Sequence, residues 1–106
     1  LLLVVALATP AVAVERVSGS KDQAITASYL GSGSELEIIG AGYLEFWVES
    51  TTVDWTYKYK VNGGDWLEET VSAGTEHRYF KLRAGTKILL DVKMASGTSN
   101  LKVQRT

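Results

Sequence analysis

The chain of 106 residues has no cysteine, one proline, one methionine and one histidine. Without cysteine there is no disulfide scaffold, no thiolate zinc site and no thiol nucleophile. A single histidine, His77, cannot build a histidine metal cluster, and no Gly-x-Ser-x-Gly stretch offers it a serine to activate. An excess of one charge sign is also missing. Eleven Lys and Arg stand against twelve Asp and Glu, for a formal net charge of -1. Nucleic acid is therefore not an expected partner. No convincing helical period appears after residue 17, so the hydrophobic pattern has to be read as strands.

Long apolar runs are scarce too, with one exception. "LLLVVALATPAVAVE", residues 1–15, carries no charge before Glu15 and only one polar side chain, Thr9. The run ends in small residues at Ala11 and Ala13, the pattern of an export signal cleaved before Val14. It is too short to cross a membrane as a helix, since about 14 residues reach about 21 Å against about 30 Å of hydrocarbon. A second reading is an extended assembly segment in which Leu1, Leu2, Leu3, Val4, Val5 and Leu7 insert into a neighbouring subunit. Residues 1–13 are thus a signal peptide or a hydrophobic assembly segment, and 14–106 a single domain. Membrane contact is expected only through this segment, if it is uncleaved. Either way the protein is expected outside the cytoplasm, secreted or on a cell surface.

The remainder alternates apolar and polar residues in short bursts broken by glycine. The bursts fall at 24–30, 35–39, 43–49, 55–61, 65–71, 76–82, 87–94 and 101–105. In 43–49, Leu44, Phe46 and Val48 share one face, and Tyr43, Glu45, Trp47 and Glu49 the other. In 55–61, Trp55, Tyr57, Tyr59 and Val61 read as core, with Thr56, Lys58 and Lys60 outward. Ile88, Leu90, Val92 and Met94 form another inward set. Asn62-Gly63-Gly64 is the strongest hairpin signal, because a tight primed turn needs residues that tolerate positive φ. Seven to eight short strands on one core predict an all-β, antiparallel two-sheet sandwich of jelly-roll type, with the hydrophobic segment appended.

Charge is uneven along the chain. Acids dominate from Glu35 to Glu76, relieved only by Lys58 and Lys60, and bases dominate from Arg78 to Arg105, with Asp91 the exception. Two arrangements fit: the halves pair across neighbouring strands, or they form a bipolar surface suited to head-to-tail contact.

No catalytic constellation emerges from the residues. Glu68 and Glu69 are neighbours in one strand and face opposite ways, while Glu45 and Glu49 share a face about 13 Å apart. That separation exceeds the 5–9.5 Å or so of glycosidase carboxylate pairs. No metal or other cofactor is expected, leaving open only a calcium ion on backbone oxygens near Asp54 or Asp65. The aromatics are the better lead. Tyr43, Trp47 and Trp66, with Glu45 and Glu49 nearby, are candidates for a surface on which sugar rings stack or another subunit docks.

The stretch "GYLEFWVESTTVDWTYKYKVNGGDW", residues 42–66, resembles small β-sandwich modules of phage and archaeal-virus virion proteins. The resemblance implies a structural part rather than an enzyme. Combined with the apolar opening run, it points to a subunit of a filament, surface layer or virion-like assembly whose main partner is itself. The alternative is a carbohydrate-binding module with a glycan or a cell-surface protein as partner.

Overall fold

The computed structural model describes residues 15–17, 19–49, 52–74 and 76–106. The expected signal or assembly segment, including Leu1, Leu2, Leu3, Val4, Val5 and Leu7, lies outside them. The described chain forms β1 (Glu15–Arg16), β2 (Ser20–Ile25), β3 (Leu36–Ile39), β4 (Gly42–Val48), β5 (Trp55–Val61), β6 (Leu67–Val71), β7 (Arg78–Leu82), β8 (Lys87–Met94) and β9 (Ser99–Arg105). One sheet has the order β1-β3-β8-β5-β6 and the other β2-β9-β4-β7. All pairings are antiparallel except that of the two-residue β1 with β3. Setting β1 aside, the orders β3-β8-β5-β6 and β2-β9-β4-β7 are those of two interlocked Greek keys, a jelly roll.

The alternation read from the sequence builds the core. Leu44, Phe46 and Val48 of β4 and Leu101 and Val103 of β9 are buried against Trp55, Tyr57, Ile88, Leu90, Val92 and Met94 of the facing sheet. Phe46 sets its edge toward Trp55 and Tyr57, with ring centroids 6.1 and 5.0 Å away. Burying each large side chain of this kind contributes about 1.5–3 kcal/mol relative to exposure. The β5–β6 hairpin turns as expected. Asn62 and Gly63 have φ of 50° and 76°, and Gly64 N bonds Val61 O at 2.9 Å. The Asn62 side chain also accepts a bond from Lys87 N at 2.8 Å, tying the turn to β8.

One expected strand is displaced. The burst at 24–30 is strand only to Ile25. Residues 26–35 leave the β2 sheet and cross the outer face of the other. Leu30 N and Gly31 N donate to the Asp91 carboxylate of β8 at 2.7 and 3.0 Å, and the Tyr29 hydroxyl reaches Glu68 of β6 at 2.5 Å. Lys58 and Lys93 place their Nζ atoms 4.6 and 4.7 Å from the centre of the Tyr29 ring. Asp91 is fully buried beneath this strap, and that burial raises its pKa against the pull of three backbone N–H groups and Lys58.

The charge segregation along the chain resolves into pairs across strands. Glu45 meets His77, Glu69 meets Arg78, and Glu37 meets Lys87. These pairs join the acidic stretch to the basic one, so the two halves do not separate into opposed faces.

Candidate functional site

Two surfaces of the sandwich differ from the covered outer face of the β3-β8-β5-β6 sheet. The first is the outer face of the other sheet. The two-residue repeat of β4 places Tyr43, Glu45 and Trp47 there, and Glu49 continues the column just beyond the strand. Register brings Lys81 opposite Tyr43, Tyr79 and Gln104 on either side of Glu45, and Lys102 beside Trp47. Tyr43 and Tyr79 are the exposed rings, at 53% and 63% relative accessibility.

Around Glu45 the polar groups satisfy one another. His77 Nδ1 lies 2.5 Å from Glu45 Oε2, and the imidazole stacks on Trp47 with centroids 4.2 Å apart and planes 8° from parallel. The bond from His77, with a further one from the Tyr79 hydroxyl, holds the Glu45 carboxyl below the usual carboxylate range. At the margins Lys102 reaches Asp22 at 2.7 Å, and Asn100 donates to Glu49 at 3.0 Å. The face is aromatic, and its polar groups around Glu45 are paired with one another. A base with a free nucleophile beside it is not part of this cluster. Among the described residues, no group of three or more His, Asp or Glu stands close enough to hold a metal ion.

Trp66 does not belong to this face. It sits just before β6 on the outside of the opposite sheet, where Lys58 and Lys60 Nζ lie 4.5 and 4.6 Å from its ring centre. Tyr43, Glu45 and Trp47 are thus brought together with Glu49 at the column's end, while Trp66 is separated from them by the thickness of the sandwich. His77 and Tyr79 complete the cluster. Alternation within 76–82 gives His77 only a surface place, on one face with Tyr79 and Lys81. Only the β4–β7 pairing, which no local pattern announces, could have joined it to Glu45 and Trp47.

The second surface is the side of the sandwich where both sheets end, at β6 and β7. The β5–β6 register turns Glu69 and Leu67 of β6 inward, level with Tyr57 and Tyr59. Glu69 takes a bond from the Tyr57 hydroxyl and one from Arg78 Nε at 2.9 Å, which clasps β6 to β7. Burial, and then the Glu69 carboxylate, raises the Tyr57 pKa well above its ordinary value, while that hydroxyl lowers the pKa of Glu69. Two residues along, no equivalent clasp stands among the described residues. The rings of Tyr59 and Phe80 pack at 4.6 Å, leaving Leu67 53% and Val61 40% accessible at the rim.

No family model and no curated protein matches the chain. Among solved structures, the chain is similar to the C-terminal domain of A223, a structural protein from Sulfolobus turreted icosahedral virus, at 17% identity and a TM-score of 0.44. That match covers 81% of this chain and 99% of the viral domain.

Proposed function

We propose that this chain is a non-enzymatic structural subunit that works outside the cytoplasm by associating with copies of itself, in a filament, surface layer or virion-like assembly. One observation carries the reading: the open side of the sandwich ends in an edge strand, β6, that leaves the apolar Leu67 53% accessible beside carboxylates already bonded within the chain. Edge strands usually resist further pairing by presenting charge to an incoming chain. On β6 the two charged residues are Glu68 and Glu69, and both are engaged within the chain, by Tyr29 and by Tyr57 with Arg78. Beside these two bonded carboxylates, β6 presents its backbone and the 53% accessible Leu67 at the rim. Open edges of this kind take up another strand. The resemblance of residues 42–66 to virion modules supports a structural role, and the apolar opening run supports the extracytoplasmic setting. The test is sedimentation equilibrium of the full chain over a range of concentrations. A mass that climbs beyond the monomer is the expected result, and a strict monomer at high concentration overturns the reading.

A second reading is favoured by the exposure of Tyr43 and Tyr79 on one sheet face, with Glu45 beside both. Exposed rings beside hydrogen-bonding groups suit a pyranose, so this face supports a carbohydrate-binding module. Binding to a glycan array that is lost in Tyr43→Ala and Tyr79→Ala would establish it; a blank array would dismiss it.

A further inference from the structure

We propose that the acceptor for self-association is the free edge of β6 with the rim formed by Val61, Leu67, Tyr59 and Phe80. Its occupant is the apolar N-terminal segment, residues 1–14, of a second copy. The proposal rests on the self-association reading above and names the contact that reading leaves open.

The position of the segment is the first argument. Residues 1–14 lead into β1, which lies at one edge of the sheet ordered β1-β3-β8-β5-β6, while β6, the acceptor, is the other edge among the described residues. Donor and acceptor are therefore different surfaces on opposite edges of the same sheet. A contact between them is head-to-tail, and such contacts propagate into rings or open filaments instead of stopping at a dimer. Each subunit would receive a strand at β6 and donate one from its β1 edge.

Chemistry is the second. The segment has no charge before Glu15, and the four rim side chains, Val61, Leu67, Tyr59 and Phe80, carry none. Glu69, the one inward charge on β6, is half exposed but held by Tyr57 and Arg78, so an added strand would meet a carboxylate that already has its partners. Burying Leu67 and Val61 against leucine and valine removes apolar surface from water on both partners, at about 25 cal/mol per Å².

Length is the third. β6 has 5 residues, about 17 Å of strand. Pro10 lacks the N–H that a ladder requires, so the pairing run falls within residues 1–9, which is long enough to span β6. Alternate side chains of that run would turn toward Leu67 and Tyr59, the others toward solvent. Residues 11–14 then bridge back to β1 of the donor.

The absence of native cysteine makes the test clean. Single-cysteine variants Leu2→Cys, Val4→Cys and Ala6→Cys are each mixed with Thr70→Cys and oxidised. A covalent dimer holding one chain of each kind is expected for at least one of the three. Leu67→Lys is expected to keep its circular dichroism spectrum, since Leu67 is exposed, and to raise the concentration needed for assembly by about tenfold or more. If Leu67→Lys assembles like wild type and no Thr70 cross-link forms, the β6 acceptor is wrong while self-association stands. If a Val4→Cys/Thr70→Cys double variant cross-links only within one chain, the occupant is the chain's own segment and the proposal falls. Assemblies whose subunits begin at Val14 would remove the occupant and overturn it too. A wild type that stays monomeric at every concentration removes the self-association reading itself.

Discussion

Glu69 on β6 and Arg78 on β7 form an ion pair across the side of the sandwich where both sheets end, Arg78 Nε donating to Glu69 Oε1 at 2.9 Å. The Tyr57 hydroxyl joins them from β5. This clasp closes the open side at one level only. Leu67, two residues along the same strand and on the same face, stays exposed, and the contrast defines where a further strand would lie.

Removing the tyrosine hydroxyl should weaken the clasp most near neutral pH, between the two extremes at which the wild type itself loses it. The depressed Glu69 contributes stability that is present above the ordinary carboxylate pKa of about 4.3 and is lost as pH falls through its lower folded value. The raised Tyr57 contributes stability that is present below about 10 and is lost as pH rises from there toward its folded value. Tyr57→Phe is expected to cost about 1 kcal/mol at neutral pH and to flatten both limbs. Urea denaturation between pH 3 and 11 reads it; unchanged limbs in the variant would show that the clasp is not the source.

The strap over the outer face hangs on Asp91. Asp91→Ala leaves the N–H groups of Leu30, Gly31 and Val92 without their acceptor, and the expected loss is about 3 kcal/mol. Asp91→Asn retains one acceptor oxygen and should cost less. Amide exchange at Leu30 and Gly31 should quicken in both variants while the β9 amides change little.

At Gly42 the constraint is steric. A Cβ there would stand 2.1 Å from Thr106 O, and φ is +115°, where side-chain-bearing residues are strained. Tyr43 N bonds that same Thr106 O at 2.9 Å, and Thr106 N bonds Tyr43 O at 3.0 Å, so Thr106 cannot simply move aside. Gly42→Ala should destabilise by about 2–5 kcal/mol, read as a lowered denaturation midpoint with the slope unchanged. A change of a few tenths would mean that the chain end is free to shift.

Much of this fold could be read from local pattern because its strands are half-buried and alternate. The bursts at 55–61 and 87–94 coincide with β5 and β8, and every inward residue of β8 is buried. Long-range arrangement left less trace. Residues 26–30, Thr-Ala-Ser-Tyr-Leu, carry strand propensity, but Tyr29 finds Glu68 and Leu30 finds Asp91. Those partners are far along the chain, and the tertiary bonds outweigh the local preference. Trp66 followed the same logic, because alternation assigns a residue to one side of its own sheet but does not say which sheet lies beside which. His77 gained its place against Trp47 and Glu45 from jelly-roll strand order, a property of the whole chain.

Amide hydrogen exchange at β6 in dilute and concentrated solutions of the full chain tests the central claim most directly. On an edge strand, alternate N–H groups point away from the neighbouring strand and exchange readily until another strand pairs with them. Concentration-dependent protection within Leu67–Val71, with the β9 amides unchanged, is the predicted result. Equal exchange of β6 at both concentrations, in protein that has nonetheless assembled, would contradict the account.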